Sequence, residues 1–159
     1  MNRSLLLVLS LALFVACGKK ENSDTDFSKP SDQESTTAGS DPSSYDPKRG
    51  EGKFDKVDLA ATLDQAMAKK GEDVAAVKCT SCHKPTEEKL VGPGWKGVTL
   101  RKKPEWIMNF ITNPDPMINK DPEVQAQLEI CLVRMPNQGL KDDEARSVLE
   151  YMRKIDGVK

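Results

Sequence analysis

Hydrophobic residues recur at helical spacing in the second half of the chain. Leu59, Leu63 and Met67 follow one another at four-residue intervals, which predicts an apolar helical stripe. Gly71 is predicted to end this helix, and a second short helix follows from residue 72 to about 79. We find no stretch that alternates apolar and polar residues over the length of a strand. The pattern therefore predicts an all-α fold.

Three further helices carry recognisable start signals. One begins at Pro104 and stops before Pro114, and a second has Asp121 as its N-cap with Pro122 at the first helical position. The last, from residue 142 to 155, has acids at its start and bases at its end. Together these segments make four to five short helices joined by long loops. Long loops are uncommon in a small domain. A bulky apolar group at the centre, around which the loops wrap, would explain them.

The N-terminal residues 1–16 are predicted to form a signal peptide. The apolar run from Leu5 to Ala16 is too short to span a bilayer, and one basic residue precedes it. It ends in FVAC, which resembles the lipobox of bacterial lipoproteins, so we expect a lipid on Cys17. An ordinary signal peptide that is cut nearby is the alternative. Either way, the protein is expected outside the cytoplasm. With the lipid on Cys17, it is expected to be anchored to a bacterial membrane and to face the periplasm or the cell exterior.

Residues 17–54 have the composition of a flexible tether. They are rich in Ser, Asp, Thr, Gly and Pro and contain almost no apolar residues, so they cannot bury enough surface to fold. Tyr45 is isolated in this segment and receives no role. The folded domain is therefore expected to cover residues 55–159.

The charge of the chain excludes one class of function. The formal net charge is −1 and the isoelectric point is near 5.9, whereas a nucleic-acid-binding protein would have a basic excess. Six basic residues nevertheless cluster around the central loops. They are either a solvated surface or a docking face for an acidic redox partner. These residues are Lys84, Lys89, Lys96, Arg101, Lys102 and Lys103.

The segment VKCTSCHKP holds two cysteines and the only histidine of the chain. A zinc site with Cys131 as fourth ligand is disfavoured, because adjacent Cys82 and His83 cannot easily occupy two corners of one tetrahedron. A redox dithiol would need a βαβ context, and a structural disulfide would leave His83 unexplained. The remaining interpretation is covalent haem attachment, with thioether bonds to Cys79 and Cys82 and His83 as the proximal iron ligand.

Three segments between residues 71 and 155 resemble class I c-type cytochromes. GEDVAAVKCTSCH is similar to the first helix and attachment site of that family, and LVGPGWKGV to the loop whose proline carbonyl binds the proximal histidine. RMPNQGL, followed by DDEARSVLEYMRKI, is similar to the distal-methionine loop and closing helix. The resemblance implies a small helical bundle around one covalent haem c, with Pro93 as the carbonyl donor to the histidine bond.

The sequence departs from this family in three places. Ala75 stands where an aromatic residue usually packs against the last helix, although Tyr151 fits the partner position. Trp95 is bulkier than the usual aliphatic residue, and the segment from residue 113 to 131 is longer than a minimal member needs. We expect these differences to change the packing and not the haem.

Five methionines of the mature chain are candidates for the sixth iron ligand. Met67, Met108 and Met152 fall in helices, where core packing explains them. Met117 is predicted to lie in a proline-bounded loop, where it is either a surface residue or the second candidate ligand. Met135 lies in the loop that resembles the distal-methionine loop and is the favoured ligand.

Cys131 is left unpaired by this assignment. A buried free thiol beside the haem is favoured over intermolecular pairing or redox sensing.

These observations predict a monomeric, membrane-tethered electron carrier, not an enzyme. It would shuttle one electron at a time between an electron donor and a terminal oxidase or reductase. The sequence contains no catalytic constellation that would indicate another reaction. A haem enzyme subunit or gas sensor with an open sixth iron position is the alternative, and a haem-free lipoprotein scaffold is a third.

Overall fold

Six helices make up the part of the chain that the computed structural model describes, residues 45–159. They are α1 (Gln65–Lys78), α2 (Val98–Arg101), α3 (Pro104–Thr112), α4 (Pro114–Lys120), α5 (Pro122–Cys131) and α6 (Asp142–Ile155). Within these residues no strand forms, and one isolated antiparallel bridge joins His83 and Lys89. The all-α prediction is confirmed.

The α1 helix is continuous through Gly71, so the prediction of a break at that residue is wrong. The carboxylate of Asp64 caps the helix by accepting from the Met67 amide at 2.9 Å, and Leu59 and Leu63 precede it. Gly71 is needed because α1 and α6 cross here in backbone contact. A Cβ at this position would overlap the carbonyl of Ser147. A tertiary contact therefore outweighs the low helix propensity of glycine.

The α6 helix has the predicted bounds and presents an apolar face to the core. Ala145, Val148, Leu149 and Met152 are all buried. Acidic residues occupy its first turn and basic residues its last, which suits the helix dipole.

A buried carboxylate links α6 to the segment before α1. Glu150 is fully buried and accepts from Arg146 at 2.6 Å and Arg153 at 2.7 Å. It also accepts from the Asp64 amide at 3.0 Å, while Arg153 donates to the carbonyl of Ala60. Paired in this way, the buried charge is compensated and fixes residues 60–64 against α6.

The α3 and α5 helices form where the sequence predicts them, but the segment between them is also helical. Pro114 begins α4 at its first helical position, and Asp121 ends α4 and caps α5. Met117 lies in α4 and is completely buried. The prediction that Met117 is a surface residue in a loop is therefore wrong.

Residues 45–54, which the sequence assigns to the tether, pack against this domain. The Tyr45 hydroxyl donates to Asp121 at 2.5 Å, and the Phe54 amide donates to the Asn109 side chain at 2.8 Å. Gly50 lies against Met117 with no room for a side chain. The folded part therefore begins at least as early as Tyr45, so the boundary at 54 and the absence of a role for Tyr45 are corrected.

The predicted signal peptide, Cys17 and the tether up to residue 44 lie outside the described residues. From residue 45 onward, the chain contains no helix long and apolar enough to cross a membrane.

Candidate functional site

The CTSCH motif forms a tight turn at the end of α1. The Cys79 amide continues the helix by donating to Ala75, and the amides of Cys82 and His83 both donate to the Cys79 carbonyl, at 3.0 and 2.9 Å. This turn brings both thiols and the imidazole to the wall of a cavity of about 440 Å³. Its volume falls within the range of small-molecule and cofactor sites.

The loop that follows folds back onto the motif. The amides of Val91 and Gly92 donate to the Cys82 carbonyl at 3.2 and 2.9 Å, and the Trp95 amide donates to Lys84 at 2.9 Å. These bonds place residues 91–95 along the same cavity as the cysteines.

The His83 ring is held from two sides. Its Nδ1–H donates to the Pro93 carbonyl at 2.8 Å, as the sequence resemblance predicts. Because a carbonyl only accepts, Nδ1 must carry the proton, which leaves the lone pair of Nε2 free to bind a metal. Gly92 lies so close that a Cβ would overlap the ring, and Trp95 stacks on it with centroids 5.8 Å apart.

The structure around the motif disfavours both the disulfide and the redox-dithiol interpretations. Cys79 and Cys82 are free, so the disulfide interpretation is wrong for this structure. Burial raises the pKa of the Cys79 thiol to about 11, although the neighbouring Lys78 acts in the opposite direction. The motif also follows a helix C-terminus, whereas a helix N-terminus would stabilise a thiolate. The surroundings of Cys79 therefore disfavour a reactive dithiol.

The zinc interpretation also fails on the positions of the side chains. Among residues 45–159, no three His, Cys, Asp or Glu side chains come close enough to hold a metal ion. Cys131 does line the cavity, where it is partly buried and unpaired.

Two of the candidate methionines line this cavity. Met135 does so from the loop between α5 and α6, and Met152 from the buried face of α6. Met67, Met108 and Met117 are absent from its lining. Met135 is only partly buried, and its thioether lies on a loop and not in a helix.

Most side chains of the predicted basic cluster form ion pairs or hydrogen bonds within the domain. The pairs are Lys84 with Glu88, Lys89 with the Ile130 carbonyl, Lys96 with the Ile155 carbonyl, and Lys102 with Glu123. Lys102 also lies 4.2 Å from the centre of the Trp106 ring. A basic docking face therefore stays a prediction, and part of its charge is compensated.

The donors around the cavity fit a covalently held haem. Two free thiols, an imidazole with an open Nε2 and a thioether line one cavity together with apolar side chains. Gly92 and Trp106 are site residues that the sequence reasoning missed. The close approach of Gly92 has a weak sequence signal in the VGPG segment, whereas the position of Trp106 depends on how α3 packs.

The sequence comparison shows the family directly. The family model described as "Cytochrome c" matches residues 68–156. The chain belongs to this family, whose fold binds covalent haem c.

Solved structures agree with this assignment. Cytochrome c from Rhodothermus marinus is 32% identical, with a TM-score of 0.65 over 73% of this chain and 97% of that chain. An engineered Rhodothermus marinus cytochrome c bound to a carbene intermediate is also 32% identical, with a TM-score of 0.62 over 73% and 98%. No curated protein matches the chain. The protein is thus a class I c-type cytochrome with one covalent haem c, and its family function is haem-based electron transfer.

Proposed function

We propose that this protein is a membrane-anchored monohaem carrier whose iron is bound by His83 and Met135. Thioether bonds to Cys79 and Cys82 would attach the haem. The observation that carries this proposal is the shared cavity, which is lined by both thiols, Met135 and an imidazole with a free Nε2. The haem would supply the one-electron couple of its iron.

The side chains of this chain would tune that couple. The Pro93 carbonyl fixes the tautomer and orientation of His83 and makes its Nε2 a better donor. A thioether from Met135 would raise the reduction potential relative to a second imidazole. The stacked Trp95 and the close Gly92 restrict rotation of the ring. A site restrained in this way suits electron transfer with little rearrangement.

A lipid on Cys17 would hold this carrier at a bacterial membrane. The support is the apolar run that ends in FVAC, which places a cysteine at the expected cleavage point. The expected partners are an extracytoplasmic electron donor and a terminal oxidase or reductase.

The test of the iron ligands is an absorption spectrum in the oxidised and reduced states. We expect a sharp alpha band on reduction and, in the oxidised protein, the weak near-infrared band of sulfur-to-iron bonding. Met135→Ala should abolish the near-infrared band, whereas Met152→Leu, a change at the other methionine of the cavity, should keep it. Retention of the band in Met135→Ala would refute the ligand assignment. Rapid carbon monoxide binding to the reduced wild-type protein would indicate the open-site enzyme or sensor.

A further inference from the structure

The Met135 loop is joined to the domain by very few polar contacts. Within residues 45–159, no backbone hydrogen bond connects residues 133–140 to another segment. The bonds of the Gln138 side chain and the Gly139 amide stay inside the loop. Apolar contacts of Met135 and Leu140 with the core supply the remaining attachment. The loop thus has little backbone support for holding a ligand in place.

Arg134 is the exception, and it directly precedes Met135. Its Nε and Nη2 donate to Asp115 Oδ1 at 3.1 and 2.9 Å. Its Nη1 also donates to Asn119 Oδ1 at 3.3 Å. One guanidinium therefore spans two side chains of α4, and its planar fork loses less freedom than a flexible ammonium would.

The α4 helix is a firm support for such a contact. Its Met117 side chain is completely buried against Gly50, and Pro114 is buried at its start. Lys120 at its other end forms an ion pair with Glu51 at 3.2 Å. The helix is therefore held between the core and the segment of residues 45–54.

We infer that Arg134 and Asp115 form a clamp that positions the Met135 thioether at the iron. This inference rests on the proposed ligation by Met135 and names the residues that maintain it. Arg134 acts as a positioning residue, because it contacts α4 and orders the loop that carries the ligand. The resemblance to the family gave no signal for it, because the clamp depends on α4, a helix in the segment that is longer here than a minimal member needs.

The expected effect is modest, because the pair is exposed. Exposed ion pairs contribute little to stability. Loss of this pair should therefore change the equilibrium for local opening of the Met135 loop by about two- to five-fold. The measurement must therefore report on the loop and not on global unfolding.

The experiment compares the holoproteins of Arg134→Gln, Asp115→Ala and the double variant with the wild type. The readouts are amide hydrogen exchange of the peptide covering residues 132–140 and the rate of carbon monoxide binding to reduced protein. Both should rise about two- to five-fold in each single variant. In the double variant, hydrogen exchange and carbon monoxide binding should be no faster than in either single variant, because the two side chains act as a pair. The thermal midpoint of the oxidised protein should change little.

The matched control is Lys69→Gln, which removes an exposed ion pair with Asp73 on α1. It should leave both readouts unchanged. Unchanged exchange and binding in Arg134→Gln would overturn the clamp. An effect of Arg134→Gln with no effect of Asp115→Ala would also overturn it, because Arg134 would then act without Asp115, through Asn119 or on a haem carboxylate.

The ligation is tested separately by the wild-type spectrum. If the wild type lacks the near-infrared band of sulfur-to-iron bonding, the Met135 assignment fails, and the clamp fails with it. If the band is present and lost in Met135→Ala, a negative result with the Arg134 and Asp115 variants counts against the clamp alone.

Discussion

Gly71 of α1 and Ser147 of α6 are in backbone contact, with no space between them for a side chain. This crossing packs the first and last long helices together. It also fixes the direction in which α1 leads to Cys79 at the cavity wall. The position of the attachment motif therefore depends on a glycine eight residues before it.

Replacement of Gly71 by alanine should destabilise the domain strongly. The added Cβ meets backbone atoms, which cannot rotate away, so α1 and α6 must separate. Overpacking typically costs about 1–3 kcal/mol, and we expect the upper part of this range or more. The free energy of unfolding from denaturant titration checks this. Gln65→Ala, an exposed change on the same helix, should stay within about 0.5 kcal/mol of wild type. An unchanged midpoint for Gly71→Ala would contradict the close crossing.

Gly71 also shows where sequence reasoning about the fold succeeds and fails. The bounds of α6 and the Asp121 cap follow from local signals that the structure keeps. The continuity of α1 through Gly71 does not follow from local signals. The glycine is required there by a contact with a residue 76 positions later in the chain. The helical state of residues 114–120 was missed for a similar reason, since burial of Met117 against Gly50 is a long-range contact.

The candidate site was predictable to a greater extent because its core is local. CTSCH places two thiols and an imidazole within five residues, and the turn at the end of α1 brings them together. The Pro93 and Met135 assignments came from the family resemblance, and both residues line the cavity. The supporting contacts of Gly92 and Arg134 depend on tertiary packing, which the sequence pattern does not encode.

Gly92→Ala should disturb the proximal side of the site. A Cβ at this position overlaps the His83 ring, so the ring must tilt away or the loop must shift. We expect about 1–3 kcal/mol of lost stability and an altered visible spectrum. Gly157→Ala is the control, since its backbone angle of φ +95° is strained for alanine but no atom lies nearby. If both variants lose stability equally and keep the wild-type spectrum, Gly92 has no special relation to the histidine.

Glu150 should contribute to the pH dependence of stability. Burial alone would raise the pKa of this carboxyl, but hydrogen bonds from Arg146, the Asp64 amide and Arg153 outweigh it, so the pKa is lowered. A lowered folded-state pKa stabilises the protein above the ordinary value of 4.5, and this contribution is lost as the pH falls through the lower value.

Glu150→Gln should therefore cost about 3–5 kcal/mol at pH 7 and less at pH 3. Denaturant titrations of variant and wild type at both pH values measure the difference. The control Glu129→Gln, on the exposed surface of α5, should lose almost no stability at either pH. A cost for Glu150→Gln that is the same at pH 7 and pH 3 would rule out the linkage.

The segment before residue 55 should be part of the folding unit. The buried Asp121 carboxylate accepts from Tyr45 at 2.5 Å and from Trp106 at 2.9 Å. A bond to a charged group is worth about 1.5–3 kcal/mol, so Tyr45→Phe should lose about 1.5 kcal/mol. The control Tyr151→Phe should lose less stability, because the Tyr151 hydroxyl forms no hydrogen bond with any of the described residues.

Shortened chains test the same point independently. A chain that begins at residue 45 should keep the stability of the full chain, whereas one that begins at residue 55 should be clearly less stable. Equal unfolding midpoints for the two shortened chains would restore the boundary expected from composition.

The most direct test of the account is the mass of the proteolytic peptide that contains Cys79, Cys82 and His83. After acid-acetone extraction, we predict that this peptide carries the mass of one haem and that Cys79→Ser and Cys82→Ser each remove one thioether bond. A peptide with two unmodified thiols, together with pigment in the extract, would contradict covalent attachment at this motif.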